Sequence, residues 1–213
     1  MRLRFSTSNP QDMSLEVLKV MAKYPNICKH IHLPVQSGNN EILRKMNRQH
    51  TREEYMELID NIRTIMPDCA ISHDIIAGFP TETETAHQDT LSLMEYVKYD
   101  FGFMFVYSER PGTRAARKMK DDVDVAIKKR RLSEIVALQG HHSLFRMEQH
   151  IGKVEEVLVE GDSKKSSDFW MGRNSQHKTV VFPKKEKTIK GAVVSVKIDD
   201  CTSATLLGNQ LIS

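Results

Sequence analysis

Cysteine is scarce. Cys28, Cys69 and Cys201 are the only three in 213 residues, and none stand in a CxxC or CxxxC spacing. That excludes a disulfide framework and favours a reducing cytoplasm, each thiol reading as a small buried hydrophobe. Long apolar runs are missing too, so no membrane span is expected. The opening MRLRFSTSNPQD lacks the apolar stretch of a secretory signal. No glycine-rich phosphate loop and no G-x-S-x-G turn occurs. Of nine histidines, only His30/His32, alternating on one strand, and the adjacent His141/His142 stand close, and no metal site is expected among them. Net charge is only +3, so its distribution says more than its total.

What is present reads as a globular protein of one or two domains, with 39% hydrophobic and 28% charged residues. Arg2–Ser6 alternates like a strand. Ser14–Tyr24 has helical spacing and is stopped by Pro25. A buried strand over His30–Val35 runs into a Gln-Ser-Gly turn and a helix from about Asn40 to Met46. Thr51 and Glu54 form a capping box that opens an amphipathic helix ended by Pro67. Ala70–Ala77 is a strand leading into Gly78-Phe79-Pro80. After a helix carrying Leu91, Met94 and Val97 comes the strand Phe101–Tyr107, and then a long charged helix over roughly Val123–Gln149. Strands alternate with helices, and the strands are apolar on both faces. The expected fold is therefore α/β, with a four-stranded parallel sheet covered by helices, fewer strands than a closed eight-stranded barrel needs.

After His150 the texture changes. Val154–Val159, Phe169–Met171, Thr179–Phe182, Ala192–Ile198 and Thr205–Leu207 are short strand candidates punctuated by glycines, which suggests a small all-β barrel. Ala192, Val194, Val196 and Ile198 alternate with polar or outward positions. The domains expected are 1–149 and 150–213.

In a parallel sheet, ligands sit at the carboxyl ends of strands. Four such ends carry polar residues: Ser6–Ser8, Gln36-Ser37, Asp74 with Gly78, and Tyr107-Ser108. Asp74 lies inside an apolar strand, and a buried carboxylate needs a partner, whether a ligand hydroxyl, an Arg or a backbone N–H. In the second domain, Lys164–Lys190 holds eight basic residues against Asp168 and Glu186, with Phe169 and Trp170 among them. Basic residues interleaved with aromatics on a small barrel suggest nucleic-acid binding, and a solvated lysine-rich face with the aromatics in the core is the other reading.

The segments HIHLPVQSGNNEILRKMNRQHTREEY, DIIAGFPTETE, FVYSERPGTRAA and GKVEEVLVEG…SKK…GRN…KTVVFP together resemble the C-terminal half of a radical-SAM methylthiotransferase, over essentially the whole chain. The resemblance implies the last four strands of a six-stranded radical-SAM partial barrel over 1–149, then an OB-like TRAM domain that binds RNA. It also implies that Gln36 and Arg48 contact the methionyl part of S-adenosylmethionine, with Ser37 beside them on the same turn. Asp74 would contact the ribose and Ile76 would pack on the adenine. Val106 and Ser108 would line the adenine pocket, and Ser6 would stand at a further ribose-side position. Arg173, Lys178, Lys164 and Lys165 are the expected RNA contacts, with Trp170 as a stacking ring.

The family uses S-adenosylmethionine and two 4Fe–4S clusters. The CxxxCxxC motif and a Gly-Gly-Glu segment are not in this sequence, so the chain is expected to be a fragment, inactive alone, whose edge strand Arg2–Ser6 favours self-association. Thr81 stands where many members have Gly, and GRN and His177 replace the commoner GRT and Asn. The implied reaction of the parent is methylthio insertion at C2 of N6-(dimethylallyl)adenosine beside the tRNA anticodon. Threonylcarbamoyl-adenosine tRNA or a ribosomal-protein Asp are the rival substrates, and a non-catalytic RNA-binding module is the non-enzymatic alternative.

Overall fold

Among the described residues three strands, not four, form the parallel sheet: β1 (His30–His32), β2 (Ala70–Ala77) and β3 (Phe101–Val106), in the order β1-β2-β3. The computed structural model describes residues 1–6, 9–185 and 188–211. Thr7 and Ser8 of the rim, and Glu186 and Lys187 of the basic stretch, lie outside the described residues. β1 ends earlier than its apolar run: the Leu33 N–H still donates to the Ser72 carbonyl at 2.7 Å, and the ladder then slips by one residue. Pairing resumes only where the Gln36 N–H reaches the Asp74 carbonyl at 2.8 Å. Arg2–Ser6 does not join the sheet. Leu3 makes a single bridge to Ile27, because both arginines of RLRFS find acceptors elsewhere. Arg2 donates to the carbonyls of Arg173 and Glu156, and Arg4 to that of Asn174.

Among the described residues six α-helices connect and flank the strands: α1 (Leu15–Lys23), α2 (Asn40–Lys45), α3 (Arg52–Ile65), α4 (Glu84–Val97), α5 (Arg114–Lys118) and α6 (Val125–Glu148). Their starts are local in origin. Ser14, Asn39, Thr51, Thr83, Thr113 and Asp124 each accept a first-turn N–H, and Thr51 with Glu54 completes the capping box. One sheet face meets these helices in a core of Ile31, Leu33, Ile71, Ile75, Leu18, Tyr55, Ile62 and Met94. The alternation of each strand leaves His30, His32, Ser72, Asp74, Ile76, Phe101, Phe103 and Phe105 on the other face. There His30 stacks on Phe101, and His32 meets Phe103 edge-on.

The second half is a closed barrel of β4 (Val154–Ser163), β5 (Ser166–Arg173), β6 (Thr179–Pro183), β7 (Val193–Cys201) and β8 (Thr205–Gln210), in the order β4-β5-β6-β8-β7. Val157, Val159, Val180, Phe182, Val196, Ile198 and Leu206 fill it. Gly172 lets β5 cross close to β4, since a Cβ there would overlap the Leu158 carbonyl oxygen. The loop Asn174–Lys178 docks this barrel onto the N-terminal end of the parallel sheet. Ser175 Oγ accepts the Lys29 N–H at 3.0 Å, and the His177 ring stacks on His30 and Phe101.

Candidate functional site

At the opposite, C-terminal end of the parallel strands lies a cleft of about 630 Å³. Gln36, Arg48, Asp74, Ile76, Val106 and Ser108 all line it, together with Asn47, Phe79, Phe105, Tyr107, Arg110 and Arg114. Gln36 closes the interrupted β1 and adopts φ +69°, a left-handed conformation that non-glycine residues take at a cost and that clusters at functional sites. Arg48 follows α2, and its N–H is held by the Leu43 carbonyl at 2.9 Å. Burial pulls its guanidinium below the ordinary value, opposed by the Asp74 carboxylate. Asp74 itself faces His32, with Nε2 to Oδ2 at 3.5 Å, and the His32 Nδ1 and His30 Nε2 both meet Ser72 Oγ at 2.9 Å. The partner of this half-buried carboxylate is thus a histidine of the neighbouring strand, with Arg48 further off. His32 was visible in the sequence only as one of two alternating histidines.

The loop after β2 is braced from beneath. Gly78 has φ +72°, and the Lys128 stem packs where its Cβ would stand. The Gly78 N–H donates to Glu82 at 2.8 Å, and Glu82 is paired with buried Arg131 at 2.9 Å. Burial raises the Glu82 carboxyl, the Gly78 N–H and the Arg131 charge pulling it back. Thr81 carries φ +69°, a left-handed conformation that a glycine would take without strain.

Two expected cofactor residues are elsewhere. Ser37 is buried behind the turn, 3.5 Å from Thr90 Oγ1, and accepts the Asn39 N–H. It shapes the loop and does not face the cleft. Ser6 is exposed and is not among the cleft residues, because its segment leaves the sheet.

The basic residues of the barrel divide likewise. Lys164 and Lys165 are exposed at the β4–β5 turn. Arg173 is ion-paired with Glu160 and about one-third exposed. Lys178 is a correction: its Nζ lies 2.6 Å from Asp100 Oδ1 with both side chains 5% exposed, so it cannot meet a phosphate. Trp170 is half-buried against the barrel core, and Lys184 Nζ sits 4.4 Å from its ring centroid. That is packing rather than an open stacking platform.

The Radical SAM superfamily model matches residues 1–94, and the TRAM domain model matches residues 148–211. Residues 1–94 thus carry a radical SAM domain and residues 148–211 a TRAM domain. It is 68% identical over 208 residues to the tRNA-2-methylthio-N(6)-dimethylallyladenosine synthase of Flavobacterium johnsoniae, covering 98% of this chain and 43% of that protein. It is 51% identical over 212 residues to the protein of the same name from Bacteroides fragilis, covering 100% of this chain and 46% of the relative. The chain thus spans less than half the length of these curated relatives. Among solved structures, coproporphyrinogen III oxidase from Escherichia coli, described as a radical SAM enzyme, superposes with a TM-score of 0.54 at 18% identity, over 80% of this chain and 45% of that one. That likeness bears on the fold alone.

The radical SAM part has a donor set suited to S-adenosylmethionine. The cleft is within the roughly 300–1,000 Å³ usual for small-molecule sites. It offers a guanidinium and a carboxamide for an amino-acid moiety, a carboxylate for ribose hydroxyls, and Ile76 and Phe79 as apolar walls. An iron–sulfur cluster does not fit these residues. Cys28 and Cys69 are buried, burial pushes the Cys69 thiol up to about 12, and Cys201 lies on the TRAM barrel. Among the described residues no group of three His, Cys, Asp or Glu could hold a metal ion, and no helix is long and apolar enough to cross a membrane.

Proposed function

We propose that this chain supplies the S-adenosylmethionine cleft and the RNA-binding barrel of a tRNA methylthiotransferase. The reaction is addition of a methylthio group at C2 of N6-(dimethylallyl)adenosine beside the anticodon. The observation that carries this is the convergence of Gln36, Arg48, Asp74 and Ile76, drawn from three separate sequence segments, on one cleft. The near full-length identity to relatives of that name supports the substrate. When bound, S-adenosylmethionine with its reducing cluster supplies the radical chemistry, and the two 4Fe–4S clusters are held by residues outside this chain. The residues here bind and orient. Arg48 and Gln36 hold the methionyl end, Asp74 accepts from the ribose hydroxyls, and Ile76 with the Val106–Ser108 backbone walls the adenine and keeps water out. The anticodon stem-loop is the RNA partner and the cytoplasm the compartment.

By itself this chain is proposed to be inactive and to self-associate. The edge concerned is the free side of β3, beside Phe103 and Phe105, which are 54% and 52% exposed, and not the Arg2–Ser6 segment. A concentration-independent monomer in light scattering rules that out.

The decisive experiment uses the full-length protein with its clusters. Nucleoside mass spectrometry of tRNA from a strain lacking the gene, complemented with wild type or Asp74→Ala, should show the methylthio nucleoside only with wild type. Restoration by wild type of a methylthio-threonylcarbamoyl nucleoside instead, or of none, overturns the reading.

A further inference from the structure

The seam between the parallel sheet and the TRAM barrel holds cations that no ion pair among the described residues uses. Arg63, in the last turn of α3, donates through Nη1 to the Cys69 carbonyl at 2.6 Å, while its Nη2 is buried with no partner among the described residues. Arg146, in the last turn of α6, donates to the Lys98 and Val97 carbonyls at 2.7 and 3.1 Å. Both line a polar cavity of about 30 Å³ with Lys153. A groove of about 430 Å³ shares its wall of Asp68, Lys153 and Gln176 and adds Lys29. The nearby carboxylates are mostly engaged: Asp100 with Lys178, and Glu155 with His150 and Asn174. Asp68 remains, exposed at the rim. Burial and the Arg63 charge both push the Arg146 guanidinium below its ordinary value, with Asp100 opposing.

Two guanidiniums fixed by backbone carbonyls on one cavity, neither in a salt bridge among the described residues and with the Asp100 carboxylate of that cavity taken up by Lys178 and the Ile71 N–H, make a preorganised fork for an anion. A cavity of this size admits about one oxygen-sized group, and the groove beside it leaves room for the rest. We infer that this seam is a phosphate-binding site whose ligands are Arg63, Arg146 and Lys153. The phosphate is either a free ion or a phosphodiester of bound RNA, and only the RNA source rests on the tRNA reading above.

The test uses the 213-residue chain. Inorganic phosphate, against chloride at matched ionic strength, should raise the wild-type melting temperature by roughly 2–4 °C, the shift expected when a ligand a few times above its dissociation constant binds a chain this size. The shift should vanish in Arg63→Gln/Arg146→Gln. Lys153→Gln, whose side chain makes no hydrogen bond among the described residues, serves if the double variant does not fold. In parallel, binding of an anticodon stem-loop RNA is measured over a salt series. If RNA supplies the phosphate, the log–log slope should flatten by about 0.7–0.9 per lost contact. A lost phosphate shift with an unchanged RNA slope assigns the site to the free ion. No phosphate shift in wild type together with unchanged RNA slopes in the variants overturns the inference and leaves Nη2 to a water. Wild type that binds no RNA counts against the tRNA reading, and the thermal arm then decides the site alone.

Discussion

Lys178 and Asp100, 78 positions apart, meet at 2.6 Å in the seam between the parallel sheet and the TRAM barrel. Asp100 also accepts the Ile71 N–H at 2.9 Å, and the Lys178 N–H is held by the Asn174 side chain at 2.9 Å. The pair therefore ties the start of β3 and the start of β2 to the TRAM loop. Lys178→Ala strands a buried carboxylate and should cost about 3–5 kcal/mol in urea denaturation. The folded variant should keep the wild-type salt slope for RNA. A flattened slope with unchanged stability would put Lys178 back on the RNA surface.

Gly102 on β3 lies against His73, and a Cβ there would overlap the imidazole. His73 is fully buried and cannot retreat, because Tyr99 lies 4.3 Å away and Gln139 bonds Nε2 at 2.8 Å. Gly102→Ala should therefore destabilise by about 1–3 kcal/mol through overpacking. Thermal unfolding at wild-type temperature would contradict this.

Burial lowers both His30 and His73 to about 4, from an ordinary 6.5, the nearby His177 adding to the effect at His30. Between those values the unfolded chain binds more protons than the folded one. Stability is full above pH 6.5 and falls as the pH drops toward 4, by at most about 1.4 kcal/mol per pH unit for each histidine. Denaturation midpoints across that window measure it. His30→Asn, at the more accessible position, should flatten the slope by up to half.

In the full-length protein, Gln36→Ala, Arg48→Ala and Asp74→Ala should each weaken S-adenosylmethionine binding roughly tenfold to hundredfold, the equivalent of losing about 1.5–3 kcal/mol of charge-assisted hydrogen bonding. Ser37→Ala should leave affinity within about a factor of two, since Ser37 faces Thr90. Calorimetry on folded variants separates the two sets, and a large effect at Ser37 would contradict the placement.

On the TRAM barrel, Lys164→Ala/Lys165→Ala should flatten the salt slope of RNA binding by up to about 1.8 units without changing stability. Trp170→Ala should act in the opposite way, lowering stability by about 2–4 kcal/mol as the core loses its ring. Circular dichroism melts beside binding isotherms distinguish packing from base stacking.

The sequence by itself determined what depends on neighbours in the chain. The capping box at Thr51 and Glu54, the stops at Pro25 and Pro67, and the inward run of Val194, Val196 and Ile198 follow from spacing alone. So does the placing of Gln36, Asp74 and Ile76 at strand ends. Periodicity cannot report which distant groups neutralise a charge or satisfy a donor. That is why Lys178 read as an RNA contact until Asp100 met it, why Arg2 and Arg4 read as part of a strand, and why Ser37 read as a ligand rather than a partner of Thr90. Docking of the Asn174–Lys178 loop onto the sheet made those decisions for Lys178 and Arg4, and the carbonyls of Glu156 on β4 and Arg173 on β5 made it for Arg2. Burial makes a charge seek the nearest opposite one in space, and only the packed chain says which that is.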